Sequence, residues 1–95
     1  VNKIEKSEPT YDVPTYKYKT SIEYGDFYIS VGDLWKYSPQ YINKDKIIQI
    51  LSIRNTTYPF RTFHEIKFMY LEDGKESYYV RLRDFVLSCK QKVYA

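Results

Sequence analysis

The segment RNTTYPFRTF (54–63) places two guanidinium groups and three aromatic rings within ten residues. Guanidinium groups neutralise phosphates and rings stack on bases, while the same residue types dominate the hot spots of protein interfaces. Arg54, Tyr58, Phe60, Arg61 and Phe63 are therefore the candidate partner-binding residues. The polar run and Pro59 predict a long connection or a protruding hairpin tip, and Pro59 lowers the cost of ordering such a segment on binding. Lys44, Lys46, Lys67, Lys75, Arg81 and Arg83 are available to extend a basic surface around it.

Catalytic chemistry finds little support. The chain has one histidine, His64, and one cysteine, Cys89, with no nucleophile elbow, zinc-protease helix or phosphate-binding loop. His64 opens an alternating apolar segment beside Phe63, a structural or exposed position. Cys89 follows Phe85 and Val86 at helical spacing, which reads as a small buried residue rather than an activated thiol. A single cysteine also rules out an internal disulfide and a cysteine-based zinc site. Glu72, Asp73 and Glu76 cluster at a turn but lack the alternating oxygen ligands of a calcium loop, so they read as a solvated turn. No cofactor motif is present. Tyr11-Asp12-Val13-Pro14 has the outline of a phosphotyrosine docking motif, a four-residue match that arises by chance.

The whole chain sets the frame. Ninety-five residues with 43% hydrophobic and 28% charged content fit one small globular domain. The aromatic share of 19% leans toward β structure. The formal charge is +3, and residues 31–95 hold eleven Lys and Arg against seven Asp and Glu, whereas residues 1–30 hold four against five. Dedicated nucleic-acid domains are often more basic, so a protein partner is the first expectation and DNA or RNA the second. The abundance of Lys, Tyr and Ile beside a single Ala is the profile of AT-rich coding sequence, shared by low-GC bacteria, their phages and some large DNA viruses. With no leader pattern and no apolar run approaching 18 residues, a cytoplasmic location is expected, host cytoplasm if the source is viral.

The elements that must position these groups follow from periodicity. Residues 1–10 read as a flexible tail and 11–95 as a single β domain. Tyr16, Tyr18, Thr20, Ile22 and Tyr24 alternate with Lys17, Lys19, Ser21 and Glu23, which predicts one strand with its tyrosines packed inward and its lysines in water. Gly25-Asp26 and Gly32-Asp33 are turn signals flanking FYISV (27–31). Leu34 and Trp35 of LWKY (34–37) are the expected core anchors, and KIIQILSI (46–53) is a β-branched strand. HEIKFMYL (64–71), the Asp73-Gly74 turn and ESYYVRL (76–82) form a hairpin. Leu82, Phe85, Val86 and Cys89 predict a short helical turn before a last strand at KVYA (92–95).

From Val31 onward, the order VGDLW, KIIQILSI, HEIKFMYLEDG, ESYYVRL and RDFVLSC resembles the small SH3-like barrels of the Tudor and KOW type. In those families a Gly-Asp before the first barrel strand, a central hairpin at an acidic-Gly turn and a helical turn before the last strand are common. The resemblance implies a mainly β fold, a small antiparallel barrel or roll, with the N-terminal strand added to its side. It does not carry over an aromatic cage, because nothing makes Trp35, Tyr37 and Tyr41 converge. Size, composition and the lack of a catalytic set together lead to the expectation of a non-catalytic regulator or inhibitor of phage or mobile-element type that covers a surface of a host protein. A DNA- or RNA-binding module is the alternative.

Overall fold

The computed structural model describes residues 13–39 and 44–94. The expected tail, Tyr11 and Tyr41 lie outside the described residues. Within them the chain is mainly β and antiparallel, in the order β1 (Thr15–Lys19), β2 (Ser21–Tyr24), β3 (Phe27–Ser30), β4 (Leu34–Tyr37), β5 (Lys46–Thr57), β6 (Thr62–Tyr70), β7 (Val80–Arg81), α1 (Leu82–Ser88) and β8 (Cys89–Val93). The main sheet runs β7-β6-β5-β4-β8, and β1 adds to β5; β2 and β3 form a separate hairpin.

The backbone of the molecule is β5, twelve residues and roughly 40 Å long at about 3.3 Å per residue. From Ile48 to Thr57 it pairs with β6, but its other edge is shared. Lys46–Gln49 pair with β4, whereas Ile53–Thr57 pair with β1. The result is a β5–β6 arm whose near half lies in the core and whose far half, flanked by β1, carries Arg54 and its neighbours.

One residue sets which way that far half faces. The register steps from Ile50↔Phe68 to Ser52↔Lys67, leaving Leu51 as the extra residue of a β-bulge. Ile48 and Ile50 face inward before the bulge. Without it, the alternation would turn Ile53 outward; with it, Ile53 meets Ile66 inside and Arg54 meets Glu65 outside.

Ile29, Ile48, Ile50, Ile53, Ile66, Phe68, Leu82 and Phe85 form the heart of the core. Tyr37 stacks on Phe85 at 5.5 Å and tilts against Phe68 at 4.8 Å, while Trp35 packs on Phe27 at 5.7 Å. Trp35 and Tyr37 thus belong to separate aromatic contacts in the core. Leu34 is only half-buried, so of the two expected anchors Trp35 is the one enclosed.

Several expectations are corrected. The strand expected over Tyr16–Tyr24 is two, broken at Thr20, where the carbonyl accepts the Val31 N–H at 2.9 Å and the chain leaves β5 for the β2–β3 hairpin. Gly32 and Asp33 then take up the vacated edge, with Gly32 N–H donating to Ile50 and Ile50 N–H donating to Asp33. Gly32 has φ +96°, which favours glycine. Tyr16, Tyr18 and Tyr24 are exposed, and Ile22 alone of that alternating set is buried. RNTT is strand, not loop, because β1 and β6 supply ladders on both sides.

The return from the Asp73-Gly74 turn is also less regular than its composition predicts. Phe68 N–H donates to Ser77 Oγ at 3.0 Å in place of a backbone carbonyl, and the expected strand over 76–82 shrinks to a bridge at Glu76 and the two residues of β7. The helix forms as the Leu82, Phe85 spacing predicts, and Leu82 and Phe85 are both buried. β8 begins earlier than expected, at Cys89. Among the described residues the sheet does not close into a barrel: the outer strands β7 and β8 do not pair, and α1 lies between them in sequence.

Candidate functional site

The five candidate residues occupy the far half of the arm, but not one loop. Arg54 lies in β5 and Phe63 in β6, while Tyr58, Phe60 and Arg61 surround the tip. The tip is tight. Tyr58 N–H donates to the Arg61 carbonyl at 2.8 Å, leaving Pro59 and Phe60 at the crest. Proline's fixed φ suits the first central position of such a turn, so the crest needs no glycine. Phe60 is 89% exposed there.

Arg54 is held rather than offered. Its guanidinium carbon sits 3.6 Å from the Tyr79 ring centroid and 4.2 Å from that of Tyr16, and its Nε donates to Glu65 Oε1 at 2.8 Å. Thr56 Oγ1 donates to the same oxygen at 2.6 Å, and the Tyr79 hydroxyl donates to Ser52 Oγ at 2.6 Å. Burial opposes the charge, but the Glu65 bond and the nearby Tyr18 phenol outweigh it and hold Arg54 above its ordinary pKa. Arg54 therefore stiffens the outer face of the arm.

Arg61 and Arg81 converge on one ring. Their guanidinium carbons lie 5.6 and 4.0 Å from the Phe63 centroid. The pairing Glu65↔Arg81 in β7 places Arg81 on the same face as Phe63. Arg83, at the start of α1, and His64 complete a hollow of about 230 Å³ that Tyr24 walls from the β2–β3 hairpin. Three arginines line it, and no carboxylate does. A second, shallower hollow of about 410 Å³ opens beside it, bounded by Pro14, Tyr16, Tyr58, Phe63 and Arg81 among others.

The remaining basic candidates are engaged elsewhere or lie apart. Lys46 pairs with Glu72 at 3.0 Å and Lys67 with Glu76 at 3.3 Å; Lys75 sits in the distant turn, its backbone N–H donating to Asp73 Oδ1. The turn carboxylates thus serve lysines and a backbone group, and among the described residues no cluster of His, Cys, Asp or Glu could hold a metal. His64 Nδ1 lies 2.7 Å from Asn55 Oδ1, on the arm surface. Cys89 is buried, and burial pushes its thiol up to about 12. No helix is long and apolar enough to cross a membrane among the described residues.

Sequence reasoning missed Tyr16 and Tyr79 as clamps on Arg54, since both depend on strand register across 25 or more residues. It named Arg81 and Arg83 only as extensions, and their place beside Phe63 follows from the short β7 turning into α1. No protein-family model, curated protein or solved structure matches this chain.

Proposed function

We propose that this chain is a non-catalytic binding protein that acts by covering a surface of a partner protein, with the far half of the β5–β6 arm as its contact surface. The supporting observation is Phe60, 89% exposed at a tight tip whose strands are braced by the Arg54 clamp. An aromatic ring held out on a stiff hairpin gains nothing for the fold. It suits insertion into a partner's apolar socket, with Tyr58 and Arg61 at the rim. A small regulator or inhibitor, of the kind phages and mobile elements carry, fits this arrangement. The scaffold reading that accompanies it is an SH3-like roll, supported by the β4–β5–β6 meander and the helical turn that leads into a last strand beside β4.

Affinity capture from a candidate host lysate tests this reading. A protein retained by the wild-type chain and released by Phe60→Ala and Tyr58→Ala, with unchanged thermal unfolding, is the expected result. Retention of every captured protein by both variants would remove the arm from consideration.

One observation favours a second reading, nucleic-acid binding: the Arg61, Phe63 and Arg81 grouping combines phosphate-neutralising and base-stacking groups beside a hollow free of carboxylates.

A further inference from the structure

We propose that the hollow walled by Arg61, Phe63, Arg81 and Arg83 seats one backbone phosphate of a single-stranded nucleic acid, and that the neighbouring hollow between Tyr16 and Tyr58 receives an adjacent base. This rests on the nucleic-acid reading and gives it a geometry.

The charge pattern carries the first half. Three guanidinium groups face one hollow with no carboxylate in its lining. Glu65, the acidic residue paired with Arg81 across the sheet, is already engaged by Arg54 and Thr56. Like charges gathered without a counterion repel, and an entering oxyanion relieves that repulsion while offering oxygens for bidentate guanidinium bonds. The size of the hollow, about 230 Å³, falls below the roughly 300–1,000 Å³ typical of pockets that enclose whole small molecules. It suits a single anionic group on a longer chain.

The aromatic groups carry the second half. Phe63 and Arg81 form walls of both hollows, so a strand leaving the first passes directly into the second. There Tyr58, 43% exposed, offers ring surface to a base, and Tyr16, 45% exposed, offers the part of its ring not covered by Arg54; Glu65, which also lines this hollow, is held by Arg54 and Thr56. Side chains reach base faces only when the bases are unstacked, which selects single strands over duplex.

Fluorescence anisotropy with a labelled oligothymidylate of roughly 12 nucleotides, inside the ~4–16 range of small single-strand sites, tests the assignment. Binding is expected at low salt and should weaken linearly in log–log terms as salt rises. Arg81→Ala with Arg83→Ala should weaken it at least about tenfold and reduce the magnitude of the salt slope by roughly 0.7 for each phosphate that is no longer neutralised. Arg81→Lys with Arg83→Lys should keep the slope yet bind more weakly, because an ammonium lacks the guanidinium fork. Tyr58→Ala should lower affinity with the slope intact. Lys46→Ala with Lys67→Ala, which removes paired lysines away from the hollow, should change neither. An oligonucleotide that binds equally well to the arginine double variant would overturn this seat while leaving nucleic-acid binding in place. No binding at low salt would remove both. Tighter binding of a phosphopeptide than of the oligonucleotide would overturn the assignment in favour of a peptide ligand.

Discussion

The guanidinium of Arg54 lies against the Tyr79 ring at 3.6 Å, joining the middle of β5 to the segment just before β7 across 25 residues of sequence. With Tyr16 on β1 also contacting the guanidinium, this one side chain ties three parts of the chain into the brace of the arm. The brace ties the β1–β5–β6 projection together behind its tip.

Removing that brace should be costly. Both side chains of the Arg54–Glu65 pair are 17% exposed, so Arg54→Ala leaves a poorly solvated carboxylate. Loss of a charged hydrogen bond and of the stacked guanidinium predicts a destabilisation of about 2–3 kcal/mol by urea unfolding. Arg54→Met combined with Glu65→Leu should recover most of it, since neither charge is then stranded. Full additivity of the two single variants would show that the pair does not act as a unit.

The tip should behave in the opposite way. Phe60→Ala removes a ring that touches little, so stability should stay within about 0.5 kcal/mol of wild type. Thermal unfolding of the variant measures this. A drop of several degrees in Tm would mean that Phe60 packs against the arm.

The core residues of the arm's root carry the fold. Ile66→Ala, at a fully enclosed position facing Ile53, should cost about 2–5 kcal/mol through lost transfer energy and the cavity left behind. Ile53→Ala should cost a similar amount. Chemical denaturation of each variant reads these values directly.

Alkaline pH should weaken the fold. Burial raises the Cys89 thiol from 9.0 to about 12, and burial likewise raises Tyr37 above 10.0 despite the Ser88 bond that lowers it. A folded-state pKa above the unfolded value gives a contribution that is complete below pH 9 and lost as pH climbs through 12. Tm should therefore fall across that window. Cys89 should react with a thiol reagent slowly in the native chain at about pH 8 and rapidly in denaturant; equal rates would contradict its burial.

Much of the framework can be read from the residues alone. The Ile66, Phe68, Tyr70 alternation predicts the inner face of β6, and the Leu82, Phe85 spacing predicts α1. What sequence could not reveal is the partner of each face. Tyr16 and Tyr18 do share one side of a strand, but that side covers Arg54 on the outer surface of the arm. Alternation reports that two faces differ and not which of them meets the core. Thr56 and Thr57 look like loop formers until β1 and β6 flank them, and the Ser77 contacts with Phe68 break a strand whose composition is otherwise ideal. The site was legible as residue types between 54 and 63, yet its arginine cluster forms only when Arg81 and Arg83 return beside Phe63.

The extra residue at Leu51 makes the functional face sensitive to chain length in a particular way. Loss of the Leu51 codon would erase the bulge and keep Ile53 opposite Ile66 and Arg54 opposite Glu65, whereas loss of one residue from the regular ladder beyond it, between Ile53 and Thr57, would exchange interior and exterior for the rest of β5. Shortening the arm by matched pairs of residues nearer its tip would spare that distinction. The reach of the arm can therefore change in even steps, while the count at its root can fall by one without reversing a face.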